Sequence, residues 1–261
     1  MTGIQRVAGD PGYVISELGL QVSADGDLLR GSATVVPEAC VPGTEVLRTS
    51  ILTTWADVVA GAVAGMAMSP RIPLTLDLEV LVRRPFPVGS PVVAEARLVR
   101  AGRSVVVSEA TFGDGSDPAP LAIAVATFVP SPDPAAVFPD GFPLPEQVSQ
   151  RGRLSAPFAD RVGCRRLEPG TVEVPRRPDG LNAVGAMQGG VVALTIEEAA
   201  STVASEPAHL AALNIRYLRP VMVGPARAVA TPSGTLRTVR LTDTSNGKLC
   251  ALGTARSALD G

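Results

Sequence analysis

A glycine pair and two acids stand out in this 261-residue chain as groups that could do chemistry. Gly189-Gly190 opens a long apolar run, where a helix would begin. Backbone N–H groups in the first turn of a helix have no partner within it and lie at the positive end of its dipole. A residue without Cβ lets a ligand carbonyl come close to them. Gly189 N–H is therefore a candidate to polarise a carbonyl. Asp57 and Glu197 each interrupt an apolar run, and burial there would raise a carboxyl's pKa into a range suited to proton transfer. Taken alone, the glycines also fit a tight helix entry, and each acid fits a solvated helix surface. Other chemistries lack their residues. His209 is the single histidine, no Gly-x-Ser-x-Gly elbow or phosphate-binding loop occurs, and no metal-ligand spacing is present.

The two acids are related by an internal repeat. Residues 47–61 match 187–201 at an offset of 140, which sets Asp57 on Glu197. Residues 74–89 then match 209–224 at an offset of 135, which sets Arg84-Pro85 on Arg219-Pro220. Two blocks in one order argue for a duplicated unit of about 130 residues. The spacing predicts helices over 45–68 and 188–204. Strands are expected over 28–36, 74–84, 91–100, 103–112 and 121–129, then 170–174, 210–219, 225–231, 235–243 and 248–257. Pro130, Pro132, Pro134, Pro139, Pro143 and Pro145 exclude a helix or central strand between the halves. The expected organisation is a first domain over 1–129, a Pro-rich linker over 130–154 and a second domain over 155–261.

A net charge of −2 leaves no basic footprint for nucleic acid or an anionic membrane. Cys40, Cys164 and Cys250 are odd in number and far apart, which fits a reduced cytoplasm. No basic stretch followed by an apolar core opens the chain, so no signal peptide is expected. Residues 51–68 imitate a membrane span, but Asp57 within them and the two glutamates of the matching segment point to a buried helix instead.

A helix apolar nearly all round must be covered on every side, as a curved antiparallel sheet would do. With Asn182, Met187-Gln188-Gly189-Gly190, Glu197 and the phrase Asn214-Ile215-Arg216-Tyr217-Leu218-Arg219-Pro220, the chain resembles the hotdog-fold thioesterases. The likeness is to the branch that includes phenylacetyl-CoA and 4-hydroxybenzoyl-CoA thioesterases, duplicated in one chain. The resemblance implies an α+β double hotdog, two tandem curved sheets each wrapped around one long helix. It also implies acyl-CoA thioester hydrolysis with no cofactor beyond the CoA of the substrate, and a possible homodimer of such chains. Asn182 and Gly189 would polarise the carbonyl, with Gln188 and Gly190 beside the substrate and a helix carboxylate activating water. Gly189 and Glu197 lie eight residues apart on one helix, about 12 Å at roughly 1.5 Å per residue, too far to hold one carbonyl. The carboxylate facing Gly189 is then Asp57 from the other half, with Thr75 orienting water as in Asp-using relatives. Glu197 with Ser201 is the reserve, since Glu-using relatives carry that pair. Its own site would pair it with Pro42 and Thr49-Ser50 in place of Asn182 and the glycines, and looks degraded. Arg84 and Arg219, with Arg83 and Arg216, could meet CoA phosphates. The family's usual histidine before the glycine pair is Gln188 here and Arg48 in the first half. A non-catalytic acyl-binding protein and a hotdog dehydratase or hydratase are the alternative functions.

Overall fold

A computed structural model describes residues 12–25, 28–143, 148–150, 152–203 and 209–258. The opening residues read for a signal, Pro145 of the Pro-rich stretch and Ala204 at the end of the second expected helix lie outside them.

The first half runs β1 (Gln21–Asp25), β2 (Leu28–Thr34), α1 (Thr49–Met68), β3 (Pro73–Val82), β4 (Pro91–Ala101), β5 (Val106–Gly113) and β6 (Ala122–Pro130). The second runs α2 (Phe158–Arg161), β7 (Arg165–Glu168), β8 (Thr171–Val174), α3 (Gly189–Ser201), β9 (Leu210–Tyr217), β10 (Ala226–Ser233), β11 (Leu236–Asp243) and β12 (Lys248–Ser257). Together they form a double hotdog. The twelve strands make one antiparallel sheet in the order β1-β2-β4-β5-β6-β3-β9-β12-β11-β10-β8-β7. Alternating burial along β4, β5, β10 and β11 turns one face toward the helices and leaves the other exposed.

The halves join where β3 pairs with β9. Asp77 faces Arg216, Glu79 faces Asn214 and Leu81 faces Ala212. Glu79 and Asn214 are also repeat equivalents, so a pseudo-twofold axis passes through that pair. β1 and β7, which sequence did not reveal, are short edge strands with little buried surface.

α1 is long and apolar enough to cross a membrane by composition, yet most of it is buried within the fold. It packs on β2 to β6 and against α3, which covers β8 and β10 to β12. The expected helix from residue 45 instead begins at Thr49. The preceding chain is held extended, with Leu47 N–H donating to Phe86 O (2.9 Å) and Arg48 N–H to Ala39 O (3.0 Å). The helices cross closely at Gly190. A Cβ there would lie 2.3 Å from Thr54 Oγ1, so only glycine permits the contact.

Candidate active site

The start of α3 is built by Gln188. Its backbone is extended, its side-chain carbonyl accepts from Gly190 N–H, and its backbone carbonyl accepts from Val191 (3.0 Å) and Val192 (3.2 Å). Gln188 is thus the helix cap, which a histidine at this position would fill differently. The structure places Gln188, expected beside the substrate, at the helix cap, and Gly190, expected there too, at the crossing with Thr54. Among the described residues nothing accepts from Gly189 N–H. That donor remains available at the positive end of the helix.

Asp57 reaches this point from α1. Its Oδ2 lies 3.3 Å from where a Cβ on Gly189 would stand, so a carboxylate of one half meets the helix start of the other. Its Oδ1 accepts from Thr75 Oγ1 at 2.6 Å. Thr75 sits beside an irregularity in β3 pairing between Thr75 and Asp77, the kind of bulge that re-aims side chains. Burial pushes the Asp57 carboxyl up to about 6, and the Thr75 hydrogen bond opposes that rise. Asp57, Thr75 and Gly189 therefore come together as the resemblance implied, although Thr75 grips the carboxylate itself.

Tyr217 joins them and was overlooked as a functional group. Its hydroxyl donates to Gly189 O at 3.2 Å and lies 3.4 Å from the same Cβ position. Burial, then the charges of Asp57 and Asp77, hold the phenol well above its usual pKa and so protonated. One sequence signal could have found it: the repeat offset sets Val82 opposite Tyr217, a hydroxyl present only on this side.

Asn182 stands in the turn that leads to the helix. Its Oδ1 accepts from Val184 N–H (3.1 Å) and Ala186 N–H (3.0 Å), and Arg176 Nη2 ties the turn through Gly185 O (2.7 Å). With the carbonyl so held, the Asn182 amide N–H₂, which has no partner among the described residues, is the end able to donate to a ligand.

The equivalent place around Glu197 is filled from within. Glu197 Oε1 accepts from Ser50 N–H (3.2 Å), while Oε2 accepts from Ser50 Oγ (2.5 Å) and Arg48 Nη1 (3.2 Å). Arg48 Nη2 also pairs with Glu198 at 2.6 Å, and Arg166 reaches Glu198 from outside at 3.0 Å. The side chains of Arg48 and Glu197 are each only 1% exposed. Burial disfavours the Arg48 charge, but the two glutamates outweigh it and raise its pKa. With three of its roughly four acceptor positions engaged by Ser50 and Arg48, this carboxylate suits a structural ion pair better than a base. Ser201, at the far end of α3, makes no side-chain hydrogen bond among the described residues. His209 is half-buried, and burial lowers its pKa.

Arg219 and Arg84 fall at opposite ends of the paired strands. Arg219 follows Tyr217 near the α3 start, where Met187 N–H donates to Val221 O (3.0 Å). Arg84 lies beyond the far end of β3, roughly 25–30 Å from Thr75 at about 3.3 Å per residue, and pairs with Asp117 (3.2 Å). The two cannot serve one phosphate group. Among the described residues no group of three or more His, Cys, Asp or Glu could hold a metal ion.

Residues 49–119 match the family model described as the thioesterase superfamily. No curated protein matches the sequence significantly. Solved structures match across nearly the whole chain. The 12:0-ACP thioesterase from Umbellularia californica superposes with a TM-score of 0.63 at 12% identity, covering 90% of this chain and 99% of its own. An acyl-ACP thioesterase from Bacteroides thetaiotaomicron gives 0.65 at 10% identity, over 89% and 98%. The tesB protein of Mycobacterium avium subs paratuberculosis gives 0.58 at 16% identity, over 97% and 100%. Identities this low speak to the fold alone.

Proposed function

We propose that this chain, a double-hotdog protein of the thioesterase superfamily, hydrolyses acyl-CoA thioesters at one composite site between its halves. The observation that carries the reading is the meeting of Asp57 Oδ2 with Gly189 at the free end of α3. The thioester carbonyl lies on Gly189 N–H, with the Asn182 amide as a second donor. As the water oxygen bonds to the carbonyl carbon, Asp57 takes its proton and the N–H groups stabilise the oxyanion. Collapse breaks the C–S bond, and the thiolate recovers the proton from Asp57. The reaction uses no cofactor, CoA being part of the substrate.

The position of Arg219 just beyond Tyr217, on the side of the α3 start, supports it as the cation that meets the CoA phosphates. The Ala and Val content of the helices fits an aliphatic acyl chain. Three free cysteines fit a cytoplasmic setting. Leu81, Ile123 and Val125 on the exposed sheet face support pairing into a homodimer, which sedimentation equilibrium would test.

The test of activity is thiol release from short, medium, long and aryl acyl-CoAs by wild type, Asp57→Asn and Glu197→Gln. The expected result is turnover by wild type, a loss of roughly 10²-fold or more in Asp57→Asn, and retention in Glu197→Gln. Loss confined to Glu197→Gln would place the base in the other half. Acyl-CoA binding without turnover by wild type would make the chain a non-catalytic acyl-binding protein, and hydration of an enoyl-CoA would make it a hydratase.

A further inference from the structure

Gly189 has no side chain, and the point where its Cβ would stand is flanked by two oxygens of different character. Asp57 Oδ2 is 3.3 Å from it and the Tyr217 hydroxyl 3.4 Å. Each oxygen is already oriented by another partner. Thr75 occupies Asp57 Oδ1, which leaves Oδ2 directed to this point. Tyr217 spends its proton on Gly189 O (3.2 Å), which leaves its oxygen lone pairs to accept. A water has no room at the Cβ position itself, one bond from Gly189 Cα, but one seated farther out along the same direction, in van der Waals contact with the Cα and between the two oxygens, can give one hydrogen to each and keep a lone pair for a carbonyl on Gly189 N–H.

The repeat supports a role tied to this site. Tyr217 is replaced by Val82 around the ion-paired Glu197, just as Thr75 is replaced there by Leu210. The hydroxyls accompany Asp57 on one side of the pseudo-twofold axis and are absent on the other.

Resting on the hydrolase reading, we propose that Tyr217 holds the attacking water together with Asp57, while Thr75 acts only by orienting Asp57. Asp57 Oδ2 removes the proton as the water oxygen bonds to the carbonyl carbon. The Tyr217 oxygen accepts the second hydrogen bond and keeps its own proton throughout. It positions the nucleophile without entering the proton balance.

The test compares wild type, Asp57→Asn and Tyr217→Phe on whichever acyl-CoA wild type turns over. Tyr217→Phe is expected to lower kcat about tenfold or more with KM changed less than twofold, because the lost contact is made to water in place of substrate. Its melting temperature should stay near that of wild type. An unchanged kcat, or a loss carried by KM alone, overturns the assignment while leaving hydrolysis by Asp57 intact. Equal rates for wild type and Asp57→Asn overturn Asp57 as the base and the Tyr217 role with it, while no turnover by wild type on any acyl-CoA overturns the hydrolase reading itself. If Tyr217→Phe does not fold, Tyr217→Leu decides, since it too removes the accepting oxygen while leaving Gly189 and Asp57 in place. Loss of kcat with retained acyl-CoA binding then supports the proposal, and a wild-type kcat overturns it.

Discussion

Asp57 is placed where the role proposed for it and the stability of the fold pull against each other. Its carboxyl titrates at about 6 in the folded chain against 3.8 for an unperturbed aspartate, because burial penalises the charge. Between those values the native state binds more protons than the unfolded state. Stability from this group is therefore fullest below 3.8, falls as pH rises through the window, and stays reduced above about 6. Asp57→Asn should stabilise the chain at pH 8 by about 1–3 kcal/mol, at about 1.4 kcal/mol per pKa unit, with the gain shrinking toward pH 4. Urea melts at both pH values check this, and an equal gain at both would contradict it. Turnover should follow the opposite course, with kcat/KM falling below about pH 6 as the base is protonated. At this scale the sequence was most informative where the repeat kept a residue's type and least where it changed. Asp57, Thr75 and Gly189 could be paired from the repeat and the family likeness. Nothing in sequence showed that Gln188 would turn back to cap Gly190 or that Arg48 would turn inward, because a long side chain's direction depends on what lies across the interface.

The two helices are fixed to each other by features with opposite tolerance to change. At the crossing, Gly190→Ala would press a methyl within 2.3 Å of Thr54 Oγ1, so α1 and α3 must separate or shift. A loss of about 1–3 kcal/mol is expected, as for other overpacked contacts, and adding Thr54→Ala should recover much of it in thermal melts. At the start of α1 the contact is ionic. Arg48→Met leaves Glu197 and Glu198 buried without their inner partner and should cost about 3–5 kcal/mol, whereas Arg48→Met combined with Glu197→Leu and Glu198→Met should recover most of it. Urea titration of the single and triple variants separates the loss of a pair from the loss of one partner. The apolar periodicity of α1 revealed the helix, but its first turn was overextended to residue 45. The strap before Thr49 is held by Phe86, distant in sequence, and by Ala39 across an intervening turn, and local propensity carries no trace of either contact. β1 and β7 escaped notice for a related reason: edge strands that bury so little lack the alternation by which the inner strands announce themselves.

For the molecule as a whole, duplication was legible as two matched blocks, but the seam between the copies was not. β3 and β9 each lie at the inner edge of their half, and only the registry of Glu79 on Asn214 shows that the copies share a sheet. That seam, the α1–α3 contact and the Arg48–Glu197 pair all cross between the halves, so neither half can open without exposing buried charge and apolar surface of the other. The intact chain is therefore expected to unfold in one calorimetric transition, with the calorimetric and van't Hoff enthalpies equal. Glu197→Gln, which weakens the pair from the second half, should lower that single melting temperature and leave one transition. Two resolved transitions in wild type, or a Glu197→Gln scan in which only part of the heat moves, would mean that the halves are stable independently. The composite site would then depend on docking of two separate bodies. A single transition would instead make Asp57 and Gly189 parts of one rigid frame, as the proposed base, which must meet a carbonyl across an interface, requires.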